Sequence, residues 1–142
     1  MATDQGSTQR SFRLARRTLE LLDAAAAETG ESRNALADRL LGEALRVRKH
    51  PLIRFQQGAA GRRQPLLAGT RLYVHQVIAT LRAGGGDVEE AAAYLGLSPR
   101  QVDAALDYYA DFRDEVDADA AAAERIEQVE RARWERRQQS LA

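Results

Sequence analysis

The sequence predicts a mainly α fold: a strand-helix-helix domain, then a small helix-turn-helix domain with a β-hairpin, then a C-terminal helix. Three observations carry this prediction. Apolar residues recur at helical spacing along most of the 142 residues. Strand-like patterns are confined to three short segments, and Pro51 breaks the helical pattern between the two domains.

Met1–Arg10 has no hydrophobic period and is expected to be a flexible arm. Ser11-Phe12-Arg13-Leu14-Ala15-Arg16 alternates, with Phe12 and Leu14 on one face and Ser11, Arg13 and Ala15 on the other, as a half-buried strand does. Thr18–Thr29 is rich in strong helix formers and spaces Leu19, Leu22 and Ala26 as a helix, with Leu21 and Ala25 beside them. Gly30 stops that helix. Ser32 is placed to cap a second one, where Leu36, Leu40, Leu41, Ala44 and Leu45 keep the period to about Val47. The His50-Pro51 step ends the pattern, because proline cannot continue a helix and disfavours one at the residue before it.

Leu52-Ile53-Arg54-Phe55 and Pro65-Leu66-Leu67 form the strands of a hairpin, turned by Gly58-Ala59-Ala60-Gly61-Arg62-Arg63. After Gly69-Thr70-Arg71, the positions Val74, Val77, Ile78 and Leu81 mark an amphipathic helix that ends at Gly84-Gly85-Gly86. Asp87 caps the next helix through Leu95, and Gly96 makes a turn. Ser98-Pro99-Arg100-Gln101 then opens another helix, with Ser at the cap, Pro in the first turn and Gln three residues on. This order is helix-turn-helix. A last helix is expected from Ala118 to about Arg137, supported by pairs such as Glu127 with Arg131. Its apolar stripe is thin: Ala122, Ala123, Ile126 and Val129, with Trp134 near the edge. A partner is the natural cover for Trp134. The expected divisions are thus an arm (1–10), a strand-helix-helix domain (11–48), a helix-turn-helix domain (49–117) and a helical tail (118–142).

Hydrophobic residues make up 44% and charged residues 30%, a globular balance. No apolar run approaches the roughly eighteen residues that would span a bilayer, so no membrane role is expected. Met1–Gln9 lacks the basic-then-apolar order of a secretory signal and the chain has no cysteine, which points to a cytoplasmic protein. The net charge of zero hides a segregation. Residues 1–86 hold 14 basic and 7 acidic side chains, a net of +7. Residues 87–119 hold 2 and 10, a net of −8, and residues 120–142 hold 5 and 4, a net of +1. Such asymmetry suggests different partners for different parts, with a polyanion suiting the first and not the second.

A lone strand at Ser11–Arg16 cannot satisfy its backbone, and the simplest remedy is pairing with the same strand of a second copy. Such an antiparallel ribbon fits the major groove of DNA. Its outward residues would be Ser11, Arg13 and Ala15. Arg13 can fork to a guanine, Ser11 can bond a group of either sign, and Ala15 can touch a thymine methyl. Phosphates would be held by Arg10, Arg16 and Arg17, and by Ser32, Arg33 and Asn34 at the start of the second helix. With Phe12 and Leu14 inward, Gly30 between the helices and Ser32 as cap, residues 11–48 resemble the ribbon-helix-helix family of the Arc and MetJ repressors. The resemblance implies a homodimer, or a higher oligomer, bound to double-stranded operator DNA. A plain helical hairpin with Arg13 merely solvated is the alternative.

His50-Pro51-Leu52-Ile53, Gly61-Arg62-Arg63, Gly69-Thr70-Arg71, Leu95-Gly96-Leu97-Ser98 and Ala105-Leu106-Asp107-Tyr108-Tyr109-Ala110-Asp111-Phe112 carry a second resemblance. Residues 50–117 are similar to the antitoxin-like domain-of-unknown-function 433 family, found beside toxins with PIN-like ribonuclease folds. Together the two resemblances imply a VapB-like antitoxin that represses its own transcription and neutralises a cognate toxin. A helical tail of such a protein would wrap the toxin, with Ile126, Val129 and Trp134 in a groove and Arg133, Arg136 or Arg137 at its acidic site. The alternatives are a tail packed on its own domain or on the dimer mate, and a free-standing repressor whose second domain dimerises or binds another protein. A third reading is an adaptor that never touches DNA.

In a DNA-reading helix-turn-helix, Arg100, Gln101 and Ala104 would face the bases. Here Asp103, Asp107 and Asp111 lie along the same helix, and repulsion from phosphate opposes that use. The module is therefore expected to serve protein interaction or dimerisation, its acidic stretch Asp107–Asp119 either facing a basic partner or forming a solvated face. No enzyme activity is expected. The only histidines, His50 and His75, lie far apart without ligand spacing, and the triple glycine lacks the Lys-Ser/Thr of a phosphate loop. The acids fall on a helical run and not in a coordinating loop, so no metal or cofactor is expected.

Overall fold

The computed structural model describes residues 6–142. In chain order its elements are α1 (Arg16–Thr29), α2 (Arg33–Lys49), β1 (Ile53–Gln57), β2 (Arg63–Leu67), α3 (Val74–Ala83), α4 (Val88–Leu95), α5 (Pro99–Asp111) and α6 (Arg113–Ser140). The fold is mainly α, as the periodicity indicated. Residues 1–5 of the expected arm lie outside the described residues. The chain forms two compact units, one ending at Gly42 and one running from Glu43 to Ala142. The division falls within α2 because Glu43, Arg46 and Lys49 on its last turns pair with Arg63, Glu115 and Asp111 of the second unit.

In the first unit α1 and α2 follow each other through a tight turn. Gly30 takes a left-handed φ of 72° and donates its N–H to the Ala26 carbonyl, which closes α1 without a Cβ clash. Ser32 then caps α2, its Oγ accepting from the Ala35 N–H at 3.1 Å. Little apolar surface is buried: Leu36 and Ala26 alone among the described residues of this unit. Leu19, Leu21, Leu40 and Leu41 are exposed, and Phe12 is 71% exposed. The expected strand Ser11–Arg16 needs correction. Arg16 is the first residue of α1, and residues 6–15 belong to neither helix nor strand in the single chain. Ala15 is nonetheless extended (φ −60°, ψ 146°). The physical reason is that ladder hydrogen bonds need a partner strand, and one chain supplies none here.

The second unit has a continuous core. The antiparallel hairpin sets Ile53 opposite Leu67 and Phe55 opposite Pro65, a proline position that a two-stranded ribbon tolerates at its edge. Ile53 and Leu67 pack with Val74, Val77, Val102 and Tyr108. The amphipathic spacing read for α3 is met, since Val74, Val77, Ile78 and Leu81 are all buried. Asp87 caps α4 by accepting from the Glu90 N–H, and Gly96 ends it in the left-handed region at φ 69°. Ser98 and Gln101 exchange hydrogen bonds at the start of α5, with Pro99 in the first turn.

The C-terminal helix is longer than the alanine run suggested. It begins at Arg113, directly after Phe112 breaks α5 with φ −130° and ψ 42°, and its first turn carries Asp114 and Glu115, which suit the positive end of the helix dipole. Val116, Asp119 and Ala122 are its buried residues. From Glu127 onward every side chain is exposed. Among the described residues no helix is long and apolar enough to cross a membrane.

Candidate functional site

The residues expected to read DNA fall on one stretch at the start of the first unit. Arg10, Ser11, Arg13 and Ala15 are exposed in the extended segment, and Arg16 and Arg17 occupy the first turn of α1. Four arginines and no acid lie between residues 10 and 17. The helix start receives no side-chain cap and holds no acidic residue, so its free N–H groups and two guanidiniums together present a positive end. Arg17 is spent in part on Glu20, at 3.7 Å between two exposed side chains. At the start of α2 the setting is less favourable to phosphate. Ser32 is engaged in its cap, Arg33 pairs with Asp23 at 3.3 Å, and Asn34 is exposed. Glu31 stands next to this turn and pairs with Arg39 at 2.7 Å.

The basic excess of the first half also needs relocating. Residues 1–42 hold six basic and six acidic side chains, whereas residues 43–86 hold eight and one. The excess belongs to the second unit, and there it meets the acidic stretch of the same chain. Arg46 pairs with Glu115 at 2.8 Å, Lys49 with Asp111 at 2.9 Å, and Arg62 with Asp119 at 3.3 Å. His50 also reaches Asp111, at 2.8 Å. Tyr109 donates its hydroxyl to Asp117 at 2.8 Å and accepts from Arg82. Of the stretch Asp107–Asp119, then, Asp111, Glu115, Asp117 and Asp119 have partners within their own unit, and three Arg/Lys–carboxylate pairs join the two opposite charge blocks. Asp103, Asp107 and Asp114 remain exposed.

These contacts shift the acids in opposite directions. Hydrogen bonds from Lys49 and then His50 hold the Asp111 carboxyl below its ordinary value. Asp119 is only 3% exposed, and burial pushes its carboxyl up to about 6, against the pull of Arg62. Sequence reading missed both Asp119 and His50. Asp119 lies three residues from Val116 and from Ala122 on the inward face, which was the available signal. The His50 side chain is 9% exposed and stands edge-on to Tyr108 at 5.2 Å, an interior anchor. His75 stacks on Tyr73, and burial lowers its pKa.

On α5 the residues that would read bases are poorly placed for it. Arg100 is exposed, but Gln101 has its amide oxygen on the Ser98 N–H at 2.9 Å and Ala104 is half-buried. The expected tail contacts are more accessible: Val129, Arg133, Trp134 and Arg137 are exposed and Ile126 is half-buried. Arg133 bonds Glu130 at 3.1 Å within the helix. Among the described residues no group of three or more His, Asp or Glu side chains comes together to hold a metal ion.

The second unit is therefore a hairpin-bearing helix-turn-helix module with internally neutralised charge. Within it, residues 61–109 match the model of a family described as a protein of unknown function, DUF433. The match spans β2 to α5 and does not reach residues 11–48 or the tail. No curated protein and no solved structure matches the chain.

Proposed function

We propose that this chain is the DNA-binding antitoxin of a toxin-antitoxin pair, acting as a ribbon-helix-helix dimer. The observation that carries the reading is the state of the first unit. Two small helices that bury only Leu36 and Ala26, and leave Phe12, Leu14, Leu19, Leu21, Leu40 and Leu41 exposed, lack a core of their own. A second copy supplies one. Pairing two Phe12–Ala15 segments covers Phe12 and Leu14 from both sides and projects Ser11, Arg13 and Ala15 outward, flanked by Arg10, Arg16 and Arg17 for phosphates. Burying the two exposed side chains Phe12 and Leu14 contributes on the order of 3–5 kcal/mol per copy before the cost of association.

The second unit serves protein contact in this reading, because α5 presents Asp103 and Asp107 beside Arg100 and would be repelled by phosphate. The similarity to the domain-of-unknown-function 433 family supports an antitoxin paired with a PIN-like ribonuclease. Ile126, Val129 and Trp134 then dock on the toxin, and Arg133 and Arg137 meet its acids. The test uses DNA from upstream of the chain's own gene and co-expression with the adjacent open reading frame. Arg13→Ala is expected to weaken binding to that DNA by roughly 1–3 kcal/mol while leaving the dimer and any toxin complex intact. Unchanged DNA affinity in Arg13→Ala contradicts the ribbon reading, and absence of any complex with the neighbouring product contradicts the antitoxin reading.

A further inference from the structure

Helix α6 is 28 residues long, about 42 Å at the usual rise, and from Glu127 onward all of its side chains are exposed. Residues 113–140 contain neither glycine nor proline, so the helix has no hinge by which to fold back. The stretch after Ile126 carries Val129 at 52% and Trp134 at 58% exposure, with Arg136 and Arg137 unpaired among the described residues.

Elsewhere in the same unit lies a surface of opposite character. Helices α3 and α4 leave a groove of about 440 Å³ lined by Ala79, Ala83, Gly84 and Ala91, with Tyr94 and Glu90 on its wall. Its floor is built from the smallest side chains, so it is concave toward a large one. Tyr94 is 81% exposed and offers a ring face at the edge. Glu89 and Glu90 sit in the first turn of α4 and are both exposed. The groove thus combines an apolar hole, an aromatic wall and Glu90, with Glu89 next to it on the first turn of α4, while the tail combines an indole with two arginines two and three residues beyond it.

We propose that the α6 tail of one copy docks in the α3/α4 groove of a second copy, with Trp134 over Ala79 and Ala83 beside Tyr94, and Arg136 and Arg137 facing Glu89 and Glu90. The occupant is a second copy because the unhinged helix carries its own tail away from its own unit, and because the charges match in sign and spacing. Two-fold exchange of tails fills both grooves and leaves no unsatisfied end. The exchange does not depend on the N-terminal ribbon, and a toxin that takes the tail would compete with it.

Trp134 is the sole tryptophan, so its fluorescence reports the contact directly in the full-length protein. Its emission is expected to move to the blue, and its quenching by acrylamide to fall, as protein concentration rises. Ala83→Arg and, separately, Ala79→Arg fill the groove from exposed helical positions; each is expected to keep the emission red at every concentration, while circular dichroism, and melting at a concentration too low for tail exchange, stay those of the native fold. In the double variant Glu89→Arg/Glu90→Arg the shift is expected to weaken, and to return when Arg136→Glu/Arg137→Glu is added. A variant with the N-terminal ribbon disrupted, Phe12→Asp, is expected to keep the shift. Emission that is independent of concentration, or a blue shift that survives both groove substitutions, overturns the proposal.

Discussion

Asp119→Asn is expected to make the protein more stable at pH 7, although it removes one member of an ion pair. The carboxylate is 3% exposed, and its single cation, Arg62, lies 3.3 Å away with a side chain that is 46% exposed and so well solvated. Glu115 adds a like charge nearby. Burial outweighs the pair, and the carboxyl rises from 3.8 to about 6. At about 1.4 kcal/mol for each tenfold change in proton affinity, that difference is worth about 3 kcal/mol. The sign follows from linkage. Between those two values the folded chain holds a proton that the unfolded chain has released, so the stabilisation is fully present below 3.8 and is lost as pH rises through about 6. Asparagine mimics the protonated group at every pH. Urea unfolding of both proteins at neutral and mildly acidic pH should show Asp119→Asn ahead by up to about 3 kcal/mol at pH 7, a figure that already includes the pull of Arg62, with the gap closing toward about pH 4. A variant that is less stable at pH 7, by an amount that disappears as pH falls below 3.8, refutes the reasoning and places the Arg62 pair above the burial term.

Two further substitutions probe the same core. The Tyr108 hydroxyl is buried and meets no partner in good hydrogen-bond geometry among the described residues, with the Arg46 guanidinium as its polar neighbour, so Tyr108→Phe should leave stability unchanged or raise it by about 1 kcal/mol; a loss of about 2 kcal/mol or more in urea unfolding would show that Arg46 is a true partner. Asp111→Asn should lower the melting temperature at pH 7, because its lowered carboxyl stabilises the fold above its ordinary value of 3.8 and that benefit is lost as pH falls through the lowered value. Melting curves that differ equally at pH 7 and in strong acid would show that the Lys49 and His50 contacts are not the cause.

Local chemistry was legible in the sequence, and long-range chemistry was not. Asp87, the Ser98–Gln101 box, Gly30 and Gly96 act on backbone groups within a few residues, so their spacing alone placed the ends of α1, α4 and α5. The apolar period of α3 did the same for its core face. By contrast, the pairs Arg46–Glu115 and Lys49–Asp111 join residues more than sixty positions apart, and nothing local marks them. Read along the chain, those groups belong to two opposed charge blocks awaiting partners; folded, they pair with each other. Phe112 shows the converse limit, since neither proline nor glycine marks the break it makes between α5 and α6. Residues 11–16 were read as a strand from alternation alone, and strand geometry there depends on a second molecule.

The pairing of that segment can be followed amide by amide. Hydrogen exchange on the full-length protein, at a concentration where sedimentation gives a dimer, should find the Phe12–Ala15 amides protected, with protection lost in Phe12→Asp or on dilution to monomer. Exchange at the rate of an unstructured peptide in the assembled dimer would show that the two copies do not join through a ribbon, and that Arg13 is not presented to DNA in this way.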